Sequence, residues 1–206
     1  MTTESSPVTH RIAPSSDVGR RALAWWTAHC GPEAGDASTR ARLRRARSGL
    51  DVLAVPAGVM LARQLGASRS PDRAAKALDL AHVLAHVRRD SDRAPMQAAG
   101  WQRFPFDATT ELPPDQRPRL SEARFRHLIR AEHADGELAT AFIRLIALLD
   151  GEASVASLAT AFWHWDAQDQ RIRRRWAFEY YAAGAAAPDD DSADTLPHTH
   201  DEDVAG

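Results

Sequence analysis

Residues 171–181 read Arg-Ile-Arg-Arg-Arg-Trp-Ala-Phe-Glu-Tyr-Tyr, four guanidinium groups interleaved with four aromatic rings. Arginine pairs its planar fork bidentately with phosphate oxygens and lays its stem along apolar surface, so the chemistry on offer is anion binding. On a helix, Ile172, Trp176 and Tyr180 fall at i, i+4 and i+8 and form one apolar stripe. Most of the guanidinium groups of Arg171, Arg173, Arg174 and Arg175 then point elsewhere. The same pattern also reads as a solvated face, in a chain with 25 Arg and a single lysine, Lys76.

Basic residues recur on other segments. Arg40, Arg42, Arg44, Arg45 and Arg47 crowd a short stretch whose only large apolar residue is Leu43. Such a helix repels itself unless phosphates neutralise it, and each phosphate contact releases counterions and makes binding salt-dependent. Arg124, Arg126 and Arg130 form a second cluster. Arg144 interrupts Phe142-Ile143-Arg144-Leu145-Ile146; it must reach a rim, pair with a carboxylate or project to a ligand.

Other chemistries lack their parts. His82 and His86 have the spacing at which two imidazoles share a metal, with Asp79 one turn away, but the intervening pattern is not that of a metalloprotease. Packing or surface roles are the expected ones, and His198 and His200 are weaker still. There is no Gly-rich phosphate loop and no nucleophile elbow, and Asp166 and Asp169 sit where capping is the default. No catalytic residue, metal or cofactor is expected. The single cysteine, Cys30, forms no intramolecular disulfide and fits a reducing cytoplasm. No apolar run is long enough to span a membrane.

The elements that must position these residues read as helices. Asp17 opens a first, ended by Gly31-Pro32, and Asp36 caps a second over Ala37–Ser48, ended by Gly49. A third runs from Val55 to Leu65, and Ser70-Pro71 starts a fourth that continues to about Asp90. Prolines at 95, 105, 113, 114 and 118 then enforce an irregular connector, whose Trp101, Phe104 and Phe106 imply that it packs on something. Ser121, Asp135 and Ser154 cap three further helices, and the arginine-aromatic segment is the last. The expected fold is all-α: a helical bundle over 17–92, a Pro- and aromatic-containing connector over 93–119, a second bundle over 120–183, and disordered tails at 1–16 and 184–206.

Formal net charge is −2, but it is unevenly spread. Residues 184–206 hold seven of the 28 acidic side chains and no Lys or Arg, so the remainder carries 26 basic against 21 acidic groups, a net +5. A cationic body beside an anionic tail suits nucleic-acid contact, with the tail masking the basic face until an assembly forms; a purely solubilising tail is the alternative.

Taken in order, Trp25-Trp26, Ala41-Arg-Leu-Arg-Arg-Ala46, Val55-Pro-Ala57, Leu120-Ser-Glu-Ala-Arg-Phe-Arg-His-Leu-Ile-Arg-Ala131, Phe142-Ile-Arg-Leu-Ile-Ala-Leu-Leu149, Trp163-His-Trp165 and Arg174-Arg-Trp-Ala-Phe-Glu-Tyr-Tyr181 resemble the small subunit of the type I-E CRISPR Cascade complex, the CasB family. The resemblance spans about residues 17–183 and implies a non-enzymatic helical protein. Its implied partners are guide CRISPR RNA, target DNA including the displaced strand, the large and backbone subunits, and a second copy of itself. By family position it implies phosphate contact by Arg42, Arg44, Arg45, Arg124, Arg130 and Arg144, with Arg173 and Arg174 contacting phosphate or bracing the bundle. Trp26, Phe125, Trp165, Trp176 and Tyr180 read as core. The competing readings are a helical regulator of duplex DNA, which would need base-reading side chains beside its arginines, a protein-binding bundle, and an all-helical enzyme.

Overall fold

The computed structural model describes residues 17–101 and 117–181. The expectations for the two tails, and for Phe104 and Phe106, lie outside those residues. Among the described residues ten α-helices follow one another: α1 Asp17–His29, α2 Ala37–Arg45, α3 Gly49–Leu53, α4 Pro56–Gln64, α5 Pro71–Leu84, α6 Pro95–Ala99, α7 Glu122–Arg130, α8 Glu137–Leu148, α9 Val155–Trp163 and α10 Arg171–Tyr181. No strand is formed among the described residues, which leaves the fold all-α as expected.

Local chemistry sets most of the boundaries. Asp36 caps α2 by accepting from the amides of Ser38 and Thr39. The helix nevertheless ends at Arg45, short of the expected Ser48. Ser48 instead forms a capping box with Asp51 and opens α3, so Gly49 begins a helix rather than closing one. Helix α5 ends at Leu84 rather than near Asp90, because His86 and Val87 close tighter turns onto Val83 and Leu84 and the chain then crosses to Gly151. The expected Asp135 cap is also corrected. Asp135 (φ 53°) lies in a 3₁₀ turn over Ala134–Gly136, and left-handed Gly136 takes the cap position of α8. Within the connector, Pro95 occupies the first turn of the short α6, which packs on α10.

The helices before and after the connector share one core. Helix α1 runs along α9, and α5 packs on both α8 and α9. Gly19 permits the first contact: a Cβ there would lie 2.7 Å from the Ala156 carbonyl oxygen. Large side chains fill the centre, with Trp25, Trp165, Trp176, Tyr180, Phe142 and Phe162 all fully buried. Two of the indoles are satisfied by backbone: that of Trp25 donates to Ala57 O at 2.8 Å and that of Trp165 to Ala131 O at 2.8 Å. Asp90 reaches back to accept from the amide of Val155 at 2.8 Å, tying the chain before the connector to the start of α9.

Helix α10 holds α7 at both ends. The Tyr180 hydroxyl donates to Leu120 O at 2.7 Å, just before α7, and Arg173 donates to Ala131 O at 3.3 Å, just after it. Between them Phe125 of α7 stacks on Tyr180, ring centroids 4.0 Å apart. Ile172, Trp176 and Tyr180 form the buried stripe that their spacing demanded.

Candidate nucleic-acid interface

Helix α8 buries Leu138, Phe142, Leu145 and Ile146. The rest of its circumference emerges between α7 and the ends of α2 and α5. Arg144 is exposed on this outer face, so it neither breaks the core nor needs a buried partner. On one side, a groove of about 640 Å³ runs between α7 and α8, with Arg124, His127 and Arg144 among its lining residues and Leu120, Leu128, Leu145 and Leu148 beneath. On the other, a cleft of about 210 Å³ is lined by Arg44, His86, Arg88 and Asp150 against Ile143 and Ala147. Ala147 lines both, so the two depressions adjoin across α8.

The structure therefore brings Arg44, Arg124 and Arg144 onto one face from helices far apart in sequence. It adds Arg88, which sequence reasoning missed. Arg88 is placed by a backbone crossing: its amide donates to Gly151 O at 2.7 Å, and its stem lies against Gly151, where a Cβ would come within 2.9 Å of it. The Arg88-Arg89 pair just past a helix end was the available signal. Arg44, Arg88, Arg124 and Arg144 are exposed and make no ion pair or side-chain hydrogen bond among the described residues. Arg119 and Asp150, by contrast, neutralise each other at 2.6 Å.

The other expected arginines are placed differently. Arg42 donates to Ala54 O at 2.8 Å and so ties α2 to the end of α3. Arg45 and Arg130 are exposed but line neither depression. Arg173 is half-buried over the Trp165 ring and beside Asp166, and Arg174 donates to the Asp169 carbonyl. Both belong to the bracing of α10.

The histidine pair is committed to packing. His82 Nδ1 bonds Leu43 O at 2.7 Å, holding the end of α2, and the two imidazoles meet edge to face at 5.2 Å. Burial, with His82 and Arg44 beside it, pushes the His86 imidazole down from 6.5 to about 4. Unfolding therefore takes up a proton between those values. His86 supports full stability above pH 6.5, and that support is lost as pH falls toward 4. Between pH 7 and pH 5 the protein is expected to lose about 1 kcal/mol from this half-buried group once solvent screening is allowed for, read as a falling urea midpoint that His86→Leu flattens. His133 and His164, also lowered by burial, act in the same direction. Asp79, Asp90 and Glu179, raised by burial, oppose it only at lower pH.

A third cleft, of about 430 Å³, is lined by His133, Asp166, Gln170 and Arg173. Asp166 Oδ2 lies 3.1 Å from Lys76 Nζ and 3.2 Å from His133 Nε2, a polar clasp joining α5, the segment between α7 and α8, and the segment after α9. Asp166 and His133 thus tie neighbouring segments together across this cleft. Cys30 is buried, and burial pushes its thiol up to about 12. Among the described residues no cluster of three His, Cys, Asp or Glu could hold a metal ion, and no helix is long and apolar enough to cross a membrane.

Comparison with known proteins adds a family. Residues 39–181 match the model of the CRISPR-associated protein Cse2 family. Among solved structures, the fold is similar to CasB from Thermus thermophilus, at 21% identity and a TM-score of 0.55, covering 81% of this chain and 99% of that one. It is similar also to a chain of E. coli Cascade bound to a PAM-containing dsDNA target, at 18% identity and a TM-score of 0.53, covering 82% of this chain and 96% of that one. No curated protein matches.

Proposed function

Because the chain belongs to the Cse2 family of CRISPR-associated proteins, we propose that it is the non-catalytic small subunit of a type I-E RNA-guided surveillance complex. There it works beside a guide RNA, the large and backbone subunits and a second copy of itself. Base pairing between guide and target reads the sequence in such a complex, so the protein has only to hold the backbone of the hybrid and the displaced strand.

The observation that carries this reading is the convergence of Arg44, Arg88, Arg124 and Arg144, unpaired among the described residues, on the two sides of α8. Unpaired guanidinium groups on one face suit phosphates, while neither depression is lined by Asn or Gln, the side chains that would read adenine. A regulator that reads duplex DNA is disfavoured for that reason.

The purified protein is expected to bind single- and double-stranded oligonucleotides of unrelated sequence with affinities that agree within severalfold. With four phosphate contacts, binding should fall about 50-fold for single strands and about 150-fold for duplexes between about 50 and 200 mM salt, measured by fluorescence anisotropy. A preference of about 10³ for one duplex sequence would support the regulator instead. No binding at low salt would leave a protein-binding bundle.

A further inference from the structure

Phosphate binding accounts for Arg124 and Arg144 but not for the floor between them. Leu120, Leu128, Leu145 and Leu148 line that groove. A sugar-phosphate backbone gains nothing from an aliphatic trench, whereas an acidic peptide with an apolar anchor gains from rim and floor together. The chain contains such a segment: residues 189–197 read Asp-Asp-Asp-Ser-Ala-Asp-Thr-Leu-Pro, four carboxylates running up to Leu196.

The body of the protein launches that segment from the right place. Tyr180 stacks on Phe125 of α7 and donates to Leu120 O, so the chain leaves α10 against the helix that carries Arg124, beside a residue that lines the groove. Asp189 is eight residues beyond Tyr181, and eight extended residues reach about 26–29 Å. That is about twice the ~14 Å length of the nine-residue α7. A short tether also holds the segment at an effective concentration of about millimolar, where individually weak ion pairs suffice.

We propose that the groove between α7 and α8 binds the chain's own acidic segment, residues 189–197, with Leu196 on its floor and the carboxylates at Arg124 and Arg144, and that nucleic acid must displace it. The peptide site stands on the groove and the segment's sequence; its effect on nucleic acid rests on the function proposed above.

The test uses the full chain, the variant Asp189→Asn/Asp190→Asn/Asp191→Asn/Asp194→Asn, and a fluorescent peptide of residues 186–200 followed by anisotropy at low salt. The peptide is expected to bind the variant about tenfold more tightly than the unaltered chain, whose own segment competes. Adding Arg124→Ala and Arg144→Ala to the variant removes that binding, and a peptide with Leu196→Asp binds about fivefold more weakly, as loss of an apolar anchor requires. Equal binding to both proteins, indifference to the two arginines, or indifference to Leu196 would overturn the proposal. Self-association of the unaltered chain that the variant loses would place the segment in a second copy's groove and overturn the intramolecular assignment. A single-stranded oligonucleotide is expected to bind the variant severalfold more tightly. A variant that takes the peptide but no oligonucleotide would overturn the nucleic-acid reading and leave the peptide site standing.

Discussion

Replacing Arg44, Arg124 and Arg144 together by alanine is expected to reduce affinity for a single-stranded oligonucleotide by two to three orders of magnitude at low salt. The size follows from counterion release. Each phosphate contact to a single strand contributes about 0.7 to the slope of log affinity against log salt, so three contacts set about 2 units of slope. Extrapolated from a molar reference to about 50 mM salt, that slope is on the order of 10²–10³-fold. Stability should hardly move, because all three side chains are exposed and bond to nothing else among the described residues, and substitutions of that kind stay within about 0.5 kcal/mol. Arg42→Ala makes the contrast. Its guanidinium holds Ala54 O, so that variant should lose about 1 kcal/mol of stability and little affinity. Thermal melts on the same preparations separate the two effects.

Trp176→Ala should destabilise the protein by about 3–5 kcal/mol, enough to leave a domain of ordinary stability partly unfolded. Trp176 is fully buried. Its ring stacks on Phe142 at 5.2 Å and meets Trp165 edge to face at 5.1 Å, so its loss leaves a cavity walled by rings that cannot collapse into it. The effect should spread to α7, since Tyr180 and Arg173, which fix its two ends, lie one turn either side of Trp176 on the same helix. Urea denaturation followed by tryptophan fluorescence measures the change. A loss under 1 kcal/mol would mean that α10 does not organise the second half of the core.

Much of the fold was legible because local chemistry and tertiary packing agree. The Ile172, Trp176, Tyr180 spacing required one buried stripe, and α10 buries those three residues. Asp36 capped the helix it was expected to cap. The misreadings arose where two local signals compete. Ser48 could end α2 or begin α3, and its reciprocal bonds with Asp51 decided for α3. Gly136 took the cap from Asp135 because two left-handed residues in succession turn the chain into α8.

The candidate site was legible only as a set of residue types. Arg124 and Arg144 share a groove because α7 lies against α8, and Arg44 joins them because His82 pins the end of α2 through Leu43 O. None of this is encoded in spacing along a helix. Arg88 depends on a backbone crossing to Gly151 some sixty residues away, so no periodicity could have revealed it. The arginine-aromatic segment, the most conspicuous basic stretch, turns only Ile172, Trp176 and Tyr180 inward. Arg173 and Arg174 bond backbone carbonyls and Arg175 lies 3.5 Å from Glu179, contacts by which the segment braces α10 and positions α7.

Recovery of the tagged chain from its native cells under gentle salt is the decisive measurement of its membership of an RNA-guided complex. A short RNA of uniform length and at least two larger proteins are expected to copurify with it, and the RNA to remain in the assembly when Arg44, Arg124 and Arg144 are intact. Recovery of the chain without nucleic acid, or with RNA of random length and no partner proteins, would contradict it.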